Sequence, residues 1–78
     1  MSVETRSLDE LNEQTDVLKH LVGRKIKHVK AASFYRITGF AWLESEMKAL
    51  FIYETLHRNP TSFARPVPEL FDGRFDFL

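Results

Sequence analysis

The chain has 78 residues, which is enough for one domain but only for a small hydrophobic core. It contains no cysteine, which excludes disulfide bonds and cysteine-based zinc sites and is typical of a reducing, cytoplasmic compartment. The 11 basic and 11 acidic residues cancel, so the chain lacks the clear basic excess of most nucleic-acid-binding domains. No apolar run reaches the roughly 20 residues that a membrane-spanning helix needs. We therefore expect a folded cytoplasmic protein with no membrane contact.

The N-terminal part of the chain has the pattern of an amphipathic helix. Residues 7–10, Ser-Leu-Asp-Glu, match a capping box, and Gly23 is a natural C-terminal stop. Between them, apolar or small residues recur at three- and four-residue steps, namely Leu8, Leu11, Thr15, Leu18 and Val22. We predict a mobile terminus over residues 1–6 and a single domain over residues 7–78. Within this domain, a helix over residues 8–22 packs on the part that follows it. Pairing of this helix with a second copy, as a homodimer, is the alternative.

After Gly23 the spacing of apolar residues changes to a period of two, which predicts strands. Turn residues divide this part into four strands, over residues 25–30, 34–42, 47–56 and 62–65. One helical turn is predicted at 68–71, and the alternation of Phe75 and Phe77 predicts a short edge strand. The fold class is therefore α+β: an N-terminal amphipathic helix plus a small antiparallel four- or five-stranded sheet, which could curl into an SH3-like barrel.

Two registers are open for the hairpin between the second and third strands. A three-residue loop over 44–46 places Arg36 opposite Glu54 and Gly39 opposite Phe51, and both pairings are favourable. A two-residue loop places Arg36 opposite Tyr53 instead. We favour the first register.

A set of spaced residues runs from the first strand to the helical turn: Lys27, His28, Lys30, Tyr35, Ile37, Gly39, Ala41, Ile52, Tyr53, Leu56, Phe63, Arg65, Pro66 and Phe71. In this set the chain resembles a family of small bacterial domains of unknown function, number 1653. The family commonly has a glycine pair where Ala31 and Ala32 stand, and tryptophan in place of Phe63. The resemblance implies a small β fold and no known activity.

Nothing in the sequence predicts catalysis. There is no glycine-rich phosphate loop and no nucleophile elbow. His20, His28 and His57 have no metal-ligand spacing with one another or with a carboxylate. We expect no enzyme activity, no metal and no cofactor.

Two features predict binding. Residues 23–42 carry five basic residues and no acidic one, which is typical either of a groove for single-stranded nucleic acid or of a strand edge guarded by lysines. Arg65 precedes Pro66, which fixes the direction of the chain. Its guanidinium either binds a carboxylate or phosphate of a partner, or anchors the fold by pairing with Glu54 or Glu69.

The sequence thus predicts a small non-catalytic interaction module that recognises a protein segment or a nucleic acid, with a protein as the preferred partner. The alternative is a small-ligand or nucleotide-sensing domain with its site near His28, Tyr53 and Arg65. The candidate binding residues are His28, Lys30, Tyr35, Arg36, Tyr53 and Arg65.

Overall fold

Five antiparallel strands form one sheet in the computed structural model, which describes residues 15–78. The elements follow in the order η1 (Lys19–Leu21, a 3-10 helix), β1 (Lys25–His28), β2 (Ser33–Leu43), β3 (Lys48–Thr55), β4 (Ser62–Pro66), η2 (Val67–Leu70, a 3-10 helix) and β5 (Phe75–Phe77). Neighbouring strands of the sheet lie in the order β4-β3-β2-β1-β5. The antiparallel sheet and its short C-terminal edge strand are therefore as predicted.

The predicted N-terminal helix, and with it the α+β class, is wrong for the described chain, which is mostly β. Residues 1–14, with the proposed mobile terminus and half of the proposed helix, lie outside the described residues. From Thr15 onward there is no α-helix of seven or more residues: two helical residues are followed by a turn and by η1. A longer helix does not form here because Leu21 packs into the core and the chain reverses direction two residues later. Gly23, at φ 93°, makes the reversal, and its N–H donates to the Ile37 carbonyl at 2.8 Å.

Alternate residues of the strands face one side of the sheet, which we call the inner face. The described core lies on it and consists of seven apolar residues that are at most 7% exposed: Leu21, Ile26, Ile37, Phe51, Tyr53, Leu70 and Phe75. The guanidinium carbon of Arg65, on edge strand β4, lies 5.7 Å from the ring centroid of Phe75, on the opposite edge strand β5. The sheet therefore curls around its core far enough for the Arg65 side chain to reach Phe75, although β4 and β5 do not pair with each other.

The register predicted for the hairpin between β2 and β3 is correct for one of its two residue pairs and wrong for the other. Its turn has four residues, 44–47, so Leu43 pairs with Lys48 instead of Met47. A β-bulge between Ile37 and Gly39 then shifts the register back by one residue. Arg36 consequently faces Glu54, as predicted, whereas Gly39 faces Ile52 and not Phe51.

No helix within residues 15–78 is long and apolar enough to cross a membrane.

Candidate functional site

An open groove of about 540 Å³ lies at one end of the curled sheet. The turn after β1 forms one wall, the loop before β5 forms the other, and the end of β4 lies between them. Its lining residues are His28, Val29, Lys30, Arg65, Asp72, Gly73 and Arg74. We call it the arginine groove.

Arg65 is held in this groove on three sides. Its Nε donates to the hydroxyl of Tyr53 at 2.9 Å, and its Nη1 donates to Oε1 of Glu69 at 2.9 Å. The third contact is the ring of Phe75. The hydrogen bonds to Tyr53 and to Glu69 raise the pKa of Arg65 above its ordinary value, so the guanidinium stays charged at neutral and moderately alkaline pH. The anchor predicted for Arg65 is thus present, with Glu69 and not Glu54 as its carboxylate.

Arg74 joins the same network from the loop before β5. Its Nη1 lies 2.6 Å from Oε1 of Glu69, and its Nε lies 3.2 Å from Oδ2 of Asp72. One carboxylate oxygen of Glu69 therefore accepts from both arginines, which brings the two guanidinium groups together. With Lys30 in the wall, the three cations of the groove exceed its two carboxylates by one charge.

Apart from Oε2 of Glu69, the side-chain groups of the groove that have no hydrogen bond within the described chain are donors. In the described part of the chain, Nη2 of Arg65, Nη2 of Arg74 and Nζ of Lys30 have no hydrogen bond or ion pair. Nδ1 of His28 accepts from the Ala31 N–H at 3.1 Å, which assigns the proton of the neutral ring to Nε2. A site that offers several donors and a net positive charge suits a carboxylate or a phosphate.

The structure brings most of the predicted site residues together. His28, Lys30 and Arg65 line the groove, and Tyr53 binds Arg65 from beneath. Tyr35 lies one step further along the inner face, with its ring centroid 5.0 Å from that of Tyr53.

Arg36 does not belong to the site. It lies between inner-facing Tyr35 and Ile37, so it is exposed on the other side of the sheet, where it faces Lys25 and Glu54.

Sequence reasoning missed Arg74 and Asp72. They follow η2 and come next to Arg65 only because the curled sheet brings the loop before β5 towards β4. The turn pattern of residues 72–73, Asp-Gly, was the available signal, since it predicts a chain reversal that would present the next side chain.

The basic stretch does not form one surface. Lys25, Lys27 and Arg36 lie on the outer side of the sheet, whereas Lys30 lies in the groove. Lys27 is paired across the strands with Asp76, and Arg36 with Glu54, so acids from other strands offset these charges. This arrangement favours a solvated, charged sheet surface over a nucleic-acid groove.

No three histidine, aspartate or glutamate side chains between residues 15 and 78 lie close enough together to hold a metal ion.

No family model matches the chain, and no curated protein and no solved structure has significant similarity to it. The resemblance to family 1653 and the SH3-like barrel therefore stay predictions.

Proposed function

We propose that the chain is a small non-catalytic interaction module that binds an acidic segment of a partner protein in the arginine groove. The observation that carries this proposal is the convergence of Arg65 and Arg74 on one oxygen of Glu69, at 2.9 and 2.6 Å, while both Nη2 groups stay unused by the described residues. Two guanidinium groups that are already positioned lose little freedom when they bind a further carboxylate.

The surroundings support recognition of a polymer segment over that of a small molecule. The groove is open to solvent between two loops, and exposed Val29 adds an apolar side chain to its wall. A segment with acidic and apolar residues can contact all of these groups at once, whereas a free anion contacts only the cations.

A non-catalytic role is supported by the way the carboxylates are used. Glu69 accepts from Arg65 and Arg74, and Asp72 accepts from the backbone N–H and the side chain of Arg74. A general base needs a carboxylate or imidazole that is free to take a proton from a substrate. These two acids instead hold the arginines in place.

We place the protein in the cytoplasm on the absence of cysteine alone.

The small-ligand alternative is weaker at this site. A nucleotide base would need an accessible ring to stack on. Tyr53 and Phe75, the rings that contact Arg65, are each only 5% exposed. They support the guanidinium from inside the core and offer no ring face to a base, and the exposed ring of Phe63 does not line the groove.

The proposal is tested with a fluorescein-labelled hexamer of glutamate and fluorescence polarisation at low salt. We expect the unmodified protein to bind it and Arg74→Ser to bind about tenfold more weakly, which corresponds to the loss of one charge-assisted contact. Arg36→Ser removes the same charge from the other side of the sheet and is the matched control, with unchanged affinity expected. Equal weakening by both substitutions would mean that only net charge matters, and the groove would lose its role.

A further inference from the structure

Strand β4 is one edge of the sheet, and it is open to solvent. It has β3 as its only neighbour in the described sheet, and Ser62, Phe63 and Ala64 are all exposed. An edge strand of this kind presents unpaired backbone groups to which another chain can bind.

The register shows which backbone groups these are. The N–H of Thr55 donates to the carbonyl of Thr61 at 3.0 Å, and the pairing continues with Tyr53 opposite Phe63 and Phe51 opposite Arg65. Hydrogen-bonded pairs alternate in an antiparallel ladder, so Phe63 and Arg65 direct their backbone groups towards β3. Ser62 and Ala64, the residues between these pairs, direct theirs outward.

Pro66 is the next residue with an outward direction, and it has no N–H to offer. It is tolerated here because a proline on an edge strand removes no ladder hydrogen bond when its nitrogen faces solvent. It also defines where an added strand would stop. The accessible edge is therefore short and is centred on Ala64.

The side chains that flank this position lie on the inner face. Phe63 is 45% exposed and packs with its ring centroid 5.7 Å from Tyr53 and 6.2 Å from Tyr35. Arg65, two residues later, lies in the arginine groove. Residues opposite each other on neighbouring strands have Cβ atoms about 4.5–5.5 Å apart, so a strand paired with β4 would place one side chain beside each of them.

We infer that the partner segment binds as a sixth strand, added antiparallel to β4 and bonded through the backbone of Ala64, with an acidic residue beside Arg65 and an aromatic residue beside Phe63. The inference rests on the proposed function and adds to it the pairing, the register and the order of side chains. Because an antiparallel strand runs from Arg65 towards Phe63, the order in the partner is acid, any residue, aromatic. Charge complementarity with the groove and the exposed ring of Phe63 both favour this occupant.

The order is tested with two labelled peptides of equal composition in fluorescence polarisation. One is acetyl-Thr-Glu-Thr-Phe-Thr-amide, and the other has glutamate and phenylalanine exchanged. We expect the first to bind at least about fivefold more tightly, since only it pairs both side chains in the antiparallel register.

The backbone is tested in both molecules. N-methylation of the central threonine of the first peptide removes the N–H that would donate to the Ala64 carbonyl, and we expect an affinity loss of about tenfold. Ala64→Pro removes the matching N–H of the protein and should weaken binding similarly, whereas Ala64→Val keeps the N–H and should bind normally. A thermal melt reports whether Ala64→Pro is folded, and the methylated peptide decides the question if it is not.

The outcomes separate this inference from the proposed function. If the methylated and exchanged peptides bind as well as the first, while Arg74→Ser weakens all three, strand addition is overturned and recognition of acidic segments stands. If Arg74→Ser has no effect on any peptide, the proposed function is overturned together with the inference. If none of the peptides binds but a 15-nucleotide oligothymidine does at low salt, the partner is a nucleic acid and both proposals fall.

Discussion

At the scale of single residues, Arg65 shows how one side chain serves both the fold and the site. It links β4 to β3 through Tyr53, to η2 through Glu69 and to β5 through Phe75. The alternatives left open by the sequence, a structural anchor or a recognition residue, are therefore not exclusive. The anchor contacts use Nε and Nη1, and Nη2 is the atom proposed for the partner.

We expect Arg65→Ala to lower the free energy of unfolding by about 1–2 kcal/mol, as judged from two hydrogen bonds to a half-exposed charged group. The figure lies below that for a fully buried ion pair because 34% of the Arg65 side chain is exposed and solvent screens the charge. Urea denaturation measures the loss, and Arg36→Ala, on the exposed side of the sheet, should change stability by less than about 0.5 kcal/mol. A loss for Arg65→Ala as small as that of Arg36→Ala would show that these contacts do not anchor β4.

The loss on Arg65→Ala should not depend on pH in the neutral range. Because the pKa of Arg65 is raised in the folded state, the stabilisation from Arg65 is complete below its ordinary pKa and is lost only as the pH rises through the folded-state value. Denaturation at about pH 7.5 and pH 9, between the ordinary pKa ranges of histidine and tyrosine, should give the same difference between the two proteins. A difference that changes across this interval would require another titrating group in the network.

At the scale of elements, the two hairpin turns share a backbone conformation that the sequence does not predict. The turns over residues 29–32 and 44–47 both have four residues, and both end on a non-glycine residue with positive φ, Ala32 at 53° and Met47 at 52°. The left-handed conformation costs a residue with a Cβ atom roughly 1–2 kcal/mol.

Ala32→Gly should therefore stabilise the protein, by about 0.5–1 kcal/mol after subtraction of the larger backbone entropy that glycine loses on folding. Ala31→Gly is the control in the same turn. It keeps the N–H that binds His28, but its φ is not positive, so it should only destabilise. Thermal melts of the two variants should move in opposite directions. If both melt lower than the unmodified protein, the strain assigned to Ala32 is absent.

The sequence predicts the elements whose signal is local. Alternation and turn residues identify β2, β3, β4 and the short β5, and Pro66 draws attention to Arg65, for which the sequence left Glu54 and Glu69 open as partners and the structure shows Glu69. The register of the β2–β3 hairpin could not be predicted from alternation alone. A longer turn and the bulge after Ile37 offset each other, so neither changes the apolar pattern of the sequence. The apolar stripe that ends at Val22 gave a wrong helix prediction for a related reason. Periodicity describes which residues share a side if a helix forms, whereas in η1 the docking of Leu21 and the return at Gly23 decide the geometry.

Arg74 could not be predicted as a partner of Arg65 by any local rule. The contact requires the curl of the whole sheet, which brings the loop before β5 to the end of β4. Tertiary proximity of this kind is decided by the packing of Phe51, Tyr53 and Phe75, whose rings contact one another at 5.0 and 5.5 Å. Two of the five charged side chains of the groove, those of Arg74 and Asp72, thus become visible only in the folded molecule.

At the scale of the whole molecule, the two edges of the sheet differ. Edge strand β5 has only three residues, with exposed Asp76 in the middle, and the adjoining Arg74 carbonyl and Leu78 N–H are bonded to Val29 and Lys25 at the two ends of β1. Charged residues and short length protect an edge from pairing with another chain. The edge at β4 lacks a charge at Ser62, Phe63 and Ala64, so it is the open one. Homodimerisation through the N-terminal segment stays a prediction, and size measurement at increasing concentration would detect it.

The segment before β1 contributes to the core through Leu21, which is 7% exposed and packs with the buried residues of the sheet. A domain of this size has a total stability near the lower end of about 5–15 kcal/mol, so the loss of one large buried side chain is a substantial fraction of it. Leu21→Ala should cost about 2–5 kcal/mol, since it leaves a cavity beside η1 that the short helix can only partly close. Val22→Ala is the control next to it, because Val22 is 46% exposed and its truncation should change stability by less than about 0.5 kcal/mol. Urea denaturation of both variants separates the two positions: if Leu21→Ala is as stable as Val22→Ala, η1 does not contribute to the core and the sheet is stable without it.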